Sequence, residues 1–248
     1  GQLETLFLVG LPVDKDGRLY NVAAVLYRGR ILGMIPKKNI PMYAEFYEGR
    51  HFTPGEEAVT EYRLGKQVIP FGSNLLFRCE ELPELVLGCE LCEDLWVAEP
   101  PSTSHALMGA TVIANLSASN ETVSKDDYRT LLIKASSARL LCGYIYTSAG
   151  EGESTQDLVF GGHNIIAENG TTLVSSERFR NEVIYTELDV KRLLSERRKN
   201  TTFQTEKERM LIRIPFSIHV EETELTRKFA SRPFVPSVMA ERNLRCEE

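Results

Sequence analysis

The sequence predicts an α/β domain built on a mixed sheet. Short apolar runs that end at Gly, Pro, Asn or Asp recur along most of the chain and read as strands. Between them lie stretches with helical spacing, the clearest at 126–141. Asn169-Gly170 falls between two apolar runs, where it marks a hairpin. Strands alternating with helices, with hairpins added, give the layered α/β pattern.

The opening run 5–11 is continuously apolar and stops at Pro12, which predicts a strand buried on both faces. Asp14-Lys15-Asp16-Gly17 is a turn, 20–27 a second strand, and Arg28-Gly29-Arg30 a turn into a third at 31–35. Residues 36–66 read as an irregular excursion rich in aromatics and charges, and a loop of that length in a compact domain suggests function. Strands follow at 75–77 and 85–91. A helix over 102–109 is opened by Pro100-Pro101, where a missing N–H costs little. Residues 111–116 form a buried strand. The helix at 126–141 has Leu131, Leu132, Ala135, Ala138 and Leu140 as its apolar stripe. Strands at 142–147, 164–167, 171–174 and 183–188 follow, and then a helix at 189–198 with Asp189 as N-cap. From about residue 200 the pattern decays. Residues 1–200 read as one domain, and 201–248 as an extended linker and the start of another.

The bulk numbers exclude some function classes. The chain has 248 residues, 42% hydrophobic and 26% charged, the composition of a globular protein. A net charge of −6 argues against a nucleic-acid partner. The basic cluster of Lys191, Arg192, Arg197, Arg198 and Lys199 reads as a solvated helix face. No apolar run reaches the roughly 18 residues of a membrane span, and no signal peptide is visible, although the chain does not begin with Met. Five scattered cysteines read as reduced thiols, so the expected location is cytoplasmic.

Four segments could carry chemistry. In Cys89-Glu90-Leu91-Cys92-Glu93-Asp94-Leu95-Trp96 an apolar strand runs into a cysteine, two acids and the single Trp. A nucleophile at a strand end, on a turn into a helix, is exposed beside backbone N–H groups that stabilise an oxyanion. The rival reading is an inert thiol. Cys89 and Cys92 also form a C-x-x-C, but the histidines lack metal-ligand spacing and Cys89 lies within the strand. The second segment, 36–55, holds Lys37 and Lys38, which either stabilise a thiolate or are merely solvated. The third, 115–125, follows a strand end with small polar residues and reads as a ligand loop or an ordinary helix cap. The fourth, Gly150-Glu151-Gly152-Glu153-Ser154-Thr155, allows close backbone approach but lacks phosphate-loop spacing.

Taken in order, these segments resemble the nitrilase (carbon–nitrogen hydrolase) superfamily, and within it the glutaminase domains of glutamine-dependent NAD+ synthetases. The resemblance rests on Val9-Gly10-Leu11-Pro12, Leu19-Tyr20-Asn21, Pro36-Lys37-x-x-Ile40-Pro41, Tyr43, Glu45-Phe46-Tyr47-Glu48, Cys92-Glu93-Asp94, Ala114-Asn115-Leu116-Ser117 and the Gly150–155 element. It implies a nitrilase-type α-β-β-α sandwich missing its first β-α portion. It also implies Cys92 as nucleophile, Lys37 as catalytic lysine and Glu48 as the acid that orients it. Tyr43, Ser119 and Lys125 would bind glutamine, and Glu93 would meet the substrate amine.

The implied reaction is glutamine hydrolysis through a Cys thioester. It needs no metal or cofactor and passes ammonia to a synthetase domain of the same polypeptide. That domain would use ATP and Mg2+ to amidate nicotinic acid adenine dinucleotide, so the whole protein would be a ligase and a homo-oligomer. Two departures from the family pattern bear on activity. The family's general base is a glutamate upstream of the Val9-Gly10-Leu11-Pro12 strand, and no residue of this chain matches it. The ATP pyrophosphatase loop is also absent, while Arg232-Pro233-Phe234-Val235-Pro236 and Arg245-Cys246-Glu247-Glu248 resemble the linker and opening of the synthetase domain. The chain is therefore expected to be cut at both ends and to be weak or inactive alone. The alternatives are a free-standing nitrilase-type amidase acting on another amide, and a non-catalytic assembly fragment.

Overall fold

The computed structural model describes residues 4–153, 158–203, 211–219, 225–229 and 234–247. They build two sheets. The first holds β1 (Leu6–Lys15), β2 (Arg18–Tyr27), β3 (Arg30–Pro36), β4 (Thr60–Leu64) and β5 (Gln67–Phe71), in the order β1-β2-β3-β5-β4. β1, β2 and β3 form an antiparallel meander. Its turns, Asp16-Gly17 and Arg28-Gly29, place both residues at positive φ, which matches the twist of the paired strands.

The second sheet holds β6 (Leu75–Cys79), β7 (Val86–Leu91), β8 (Val112–Ser117), β9 (Gly143–Ser148), β10 (Ile165–Glu168), β11 (Thr171–Ser175) and β12 (Ile212–Phe216), in the order β11-β10-β9-β8-β7-β6-β12. β7, β8 and β9 run parallel. Parallel neighbours need crossovers. Helix α1 (Pro101–Leu107) supplies the first and α2 (Lys125–Leu140) the second. The carboxyl ends of these three strands therefore share one edge, where ligands bind in open α/β sheets. Helices α3 (Val190–Lys199) and α4 (Met239–Glu247) come later in the chain.

Strand alternation sorts the side chains into layers. Ala23, Val25 and Ile35 of the first sheet meet Leu75, Phe77, Leu87, Cys89 and Ala114 of the second in an inter-sheet core. The opposite faces of the same strands, Leu76, Ile113, Tyr144 and Tyr146, pack under Ala106, Ile133 and Leu140 of α1 and α2. Gly88 admits α1 closely, since a Cβ there would lie 3.0 Å from His105. The outer face of the first sheet gathers Val13, Tyr20, Val22, Met34, Ile69 and Phe71, and no residue of a described helix joins them. The layers are thus helices, seven-stranded sheet and five-stranded sheet. The fourth, helical layer of the α-β-β-α sandwich is not among the described residues.

Several elements differ from the sequence expectation. The first strand is not buried on both faces. β1 is a sheet edge with Phe7 46% and Val9 48% exposed, and it runs through Pro12, which an edge strand tolerates. The excursion 36–66 ends in a hairpin, β4–β5, whose exposed polar positions hid its period. Residues 183–188 form no strand, and Val183 and Tyr185 are exposed. The patternless 201–236 supplies β12, parallel to β6. On α2 the buried face is Arg129, Ile133, Ser136, Ser137 and Leu140, whereas Leu131 is 61% exposed. The basic cluster is not wholly solvated either, because Arg197 is buried.

Candidate active site

β7 delivers the nucleophile candidate. It is buried along its whole length and breaks at Cys92 into a single 3-10 turn, Cys92–Leu95. Cys92 sits at φ +43°, in the left-handed region that a side chain disfavours. Asp94 closes the turn, with its Oδ2 accepting from Leu91 N at 3.0 Å. Its Oδ1 accepts from Asn39 N and from Asn39 Nδ2, both at 2.8 Å. Burial raises the Asp94 carboxyl above its ordinary value, against the pull of these donors. The second acid of Cys-Glu-Asp therefore ties the Cys92 turn to the lysine segment. Cys92 N donates to Asn115 Oδ1 at 3.1 Å, so this N–H is committed and not open to an oxyanion.

Lys37 follows the end of β3 and is buried. Its ammonium pairs with Glu48 Oε2, and the other Glu48 oxygen accepts from Asn21 Nδ2 at 2.7 Å. Backbone bonds from Lys37 N to Asn21 O and from Gly55 N to Lys37 O fix the segment, at 2.8 and 2.7 Å.

A cavity of 390 Å³ opens over Cys92, lined by Tyr43, Phe46, Glu93, Trp96, Ser119 and Lys125 among others. Lys125 Nζ lies 5.3 Å from the centroids of both Phe46 and Trp96, between two aromatic faces, and it donates to Asn120 Oδ1. Burial pulls this ammonium down, with Arg129 acting the same way and Cys92, Glu45 and Glu121 opposing. The Tyr43 hydroxyl donates to Glu93 Oε1 at 2.7 Å. Burial and that carboxylate push the phenol up. Glu45 accepts from Asn120 Nδ2 at 2.5 Å. The loop after β8 is held from below, where the buried Arg129 pairs with Glu121 at 2.7 Å and donates to Ser119 Oγ at 3.4 Å and Asn120 O at 3.3 Å.

The structure thus brings Cys92, Tyr43, Glu93, Ser119 and Lys125 around one cavity. Lys37 and Glu48 do not line it. They form a part-buried pair joined to the Cys92 turn through Asn39 and Asp94. Cys89 faces the inter-sheet core, and burial pushes its thiol up, so it does not share a surface with Cys92. Of the Gly150 element, Ser154 and Thr155 lie outside the described residues. So do Arg232, Pro233 and Glu248, together with the side chains of Cys246 and Glu247. Reading the sequence missed the holding residues Asn21, Asn39, Asp94, Asn115 and Asn120, and the cage of Phe46 and Trp96. Amides carry no periodicity signal.

Residues 2–198 match the carbon–nitrogen hydrolase family. The chain is similar to the glutamine-dependent NAD(+) synthetase of Mycobacterium bovis, 41% identical over 242 residues, and to that of Mycobacterium leprae, 40% identical over 242. In both pairings 94% of this chain aligns with 36% of the relative, so the chain spans little more than a third of these proteins. The solved glutamine-dependent NAD(+) synthetase from Cytophaga hutchinsonii superposes with a TM-score of 0.61 at 27% identity, covering 69% of this chain and 27% of that one. The carbon–nitrogen hydrolase from Helicobacter pylori G27 superposes at 0.64 with 21% identity, covering 79% and 66%, which is a likeness of fold alone.

Proposed function

The chain belongs to the carbon–nitrogen hydrolase family, and from that premise we propose that it is a glutaminase unit that releases ammonia from the side-chain amide of glutamine. One observation carries the choice of substrate. The cavity over Cys92 is lined both by a caged cation, Lys125, and by the Tyr43–Glu93 pair. A free amino acid presents one carboxylate and one ammonium, and these two groups answer them. A simple aliphatic amide would leave both unused.

In this reading the Cys92 thiolate attacks the amide carbon. The C–N bond of the tetrahedral adduct breaks as the departing nitrogen takes up the equivalent of the proton the thiol lost, so ammonia leaves and a glutamyl thioester remains for water to hydrolyse. Lys37, paired with Glu48 and not among the residues lining the cavity, is assigned to stabilising the developing negative charge on the family resemblance. Ser119 positions the substrate, Lys125 takes its carboxylate and Glu93 its ammonium. The general base is not assigned to Glu45, Glu48 or Glu93, since each is already held by Asn120, Lys37 or Tyr43. The relatives' names support delivery of the ammonia to a synthetase domain of the same polypeptide. That domain, and not the Cys92 site, would use ATP and Mg2+ to amidate nicotinic acid adenine dinucleotide, in a cytoplasmic homo-oligomer. No helix among the described residues is long and apolar enough to cross a membrane.

The test is labelling with a diazo-ketone analogue of glutamine, followed by peptide mass spectrometry. Label confined to Cys92 and blocked by glutamine is the expected result. Label spread over other cysteines, or protection by simple amides equal to that by glutamine, would sink the proposal.

A further inference from the structure

Behind the nucleophile lies a buried carboxylate that this mechanism does not use. Glu90, two residues before Cys92, is 1% exposed. Its Oε2 accepts from Ser102 N, in the first turn of α1, at 2.8 Å. Its Oε1 accepts from the Tyr144 hydroxyl on β9. The Tyr144 oxygen accepts from Asn115 Nδ2 at 3.3 Å. Asn115 Oδ1 then accepts from Cys92 N at 3.1 Å and from Ser117 Oγ at 2.8 Å.

The directions along this chain are forced. A backbone N–H only donates, so Asn115 must present its oxygen to Cys92 and its amide nitrogen to Tyr144. The phenol oxygen is thereby an acceptor, and its own proton must go to Glu90. One hydrogen-bonded line runs from β7 through β9 and β8, and back to the amide of the residue at φ +43°.

We propose that Glu90 is a positioning residue that acts through Tyr144 and Asn115 to hold the backbone of Cys92 in its left-handed turn, and so sets the placement of the thiol. The proposal rests on Cys92 being the nucleophile. The line is strongest while Glu90 is ionised, when both carboxylate oxygens are charged acceptors. A protonated Glu90 keeps only a neutral carbonyl oxygen for the phenol, and a proton on Oε1 itself competes with the Tyr144 proton. The groups around Glu90 favour that proton. Burial first, and then Asp94 in the following turn, raise the carboxyl to about 7, net of the lowering bonds from Tyr144 and Ser102. Cys89 on its own strand and Cys142 beside β9 are buried thiols that add no positive charge. Among the described residues no cation pairs with it. Cys92 placement therefore depends on pH through a group that never meets substrate.

The test compares wild type, Glu90→Gln and Tyr144→Phe. Cys92 alkylation by iodoacetamide is followed by peptide mass spectrometry across neutral pH, alongside inactivation by the diazo-ketone analogue. Wild type should show a rise in alkylation near pH 7 beyond the thiol's own titration. Both variants should lose that rise. Their maximal inactivation rate should fall by roughly tenfold to a hundredfold, with little change in the analogue concentration giving half the maximal rate. Folded variants with the wild-type rate and pH profile would overturn the proposal. If Glu90→Gln does not fold, Tyr144→Phe decides, because it deletes a single oxygen. If wild type takes no analogue label, the glutaminase reading fails, and the alkylation profiles still decide the relay.

Discussion

Cys92 and Cys89 stand three positions apart and meet opposite fates. Cys92 leaves the strand at φ +43°, a conformation that costs an L residue on the order of 1 kcal/mol and persists only where neighbours hold it. Here Asn115 and Asp94 do the holding. Cys89 is fully buried in the inter-sheet core with Ala114. Cys92→Ala is therefore expected to abolish analogue labelling and any glutamine turnover while leaving the fold intact. Cys89→Ala should leave labelling unchanged and cost about 1–3 kcal/mol in urea unfolding. Equal loss of labelling in both, with normal folding, would argue for a joint role of the two thiols.

Glu90 adds a prediction about stability. Its folded pKa is about 7 against an ordinary 4.5. An acid whose folded pKa is raised binds its proton more tightly when folded, so its burden on the fold is absent below about pH 4.5. The burden grows as pH rises and is complete above about 7. The shift corresponds to roughly 3 kcal/mol at most. Glu90→Gln should therefore gain on wild type by up to that amount between about pH 5 and about pH 8. A stability difference that stays flat with pH would mean Glu90 keeps an ordinary pKa.

Among the elements, α3 shows a side chain doing work its composition conceals. The run Arg197-Arg198-Lys199 looks like a solvated face, yet Arg197 donates to Leu140 O, Leu141 O, Ala106 O and Ala110 O, at 2.9, 3.1, 3.4 and 2.6 Å. These carbonyls lie at the carboxyl ends of α1 and α2, where helices leave acceptors unmatched. Arg197→Met should leave several of them buried and unpaired, costing about 2–4 kcal/mol in denaturant unfolding, whereas Arg198→Met should cost under about 0.5. Similar losses from both would mean the cluster acts only through net charge. The same distinction explains which elements the sequence reveals. β2, β3, β6, β7, β8 and β9 carry apolar residues on both faces and are legible from composition. The Asn169-Gly170 hairpin and the Asp189 cap are legible because local chemistry dictates them. β4 and β12 are short and largely exposed, so their pairing is a tertiary outcome. The stripe of α2 was misread because its buried face is Arg129 and two serines, which hydrophobicity does not mark.

At the scale of the whole molecule, the site is an assembly of parts from both sheets. β7 brings Cys92, the segment after β3 brings Lys37, Tyr43 and Phe46, the turn after β7 brings Trp96, and the loop after β8 brings Ser119 and Lys125. The candidate nucleophile Cys92 and the candidate lysine Lys37 were picked out from a strand end and a motif. Their joining through Asn39 and Asp94 was not, because those contacts span 55 positions of sequence.

Lys125 is where the two possible uses of this assembly separate. Its ammonium interacts with the thiolate form of Cys92 and also faces the cavity. If it anchors the substrate carboxylate, Lys125→Met removes a charge-assisted contact that the side-chain amide does not share. Such a contact is worth about 2–3 kcal/mol, or roughly thirty- to a hundredfold in affinity. Glutamine protection of Cys92 against iodoacetamide should weaken by that factor, while the unprotected alkylation rate stays near wild type. If Lys125 instead holds the thiolate, the unprotected rate should fall and its pH profile shift upward, while glutamine protects as before. The first pattern would make this cavity an amino-acid site, and the second would return the carboxylate anchor to another residue of the same loop.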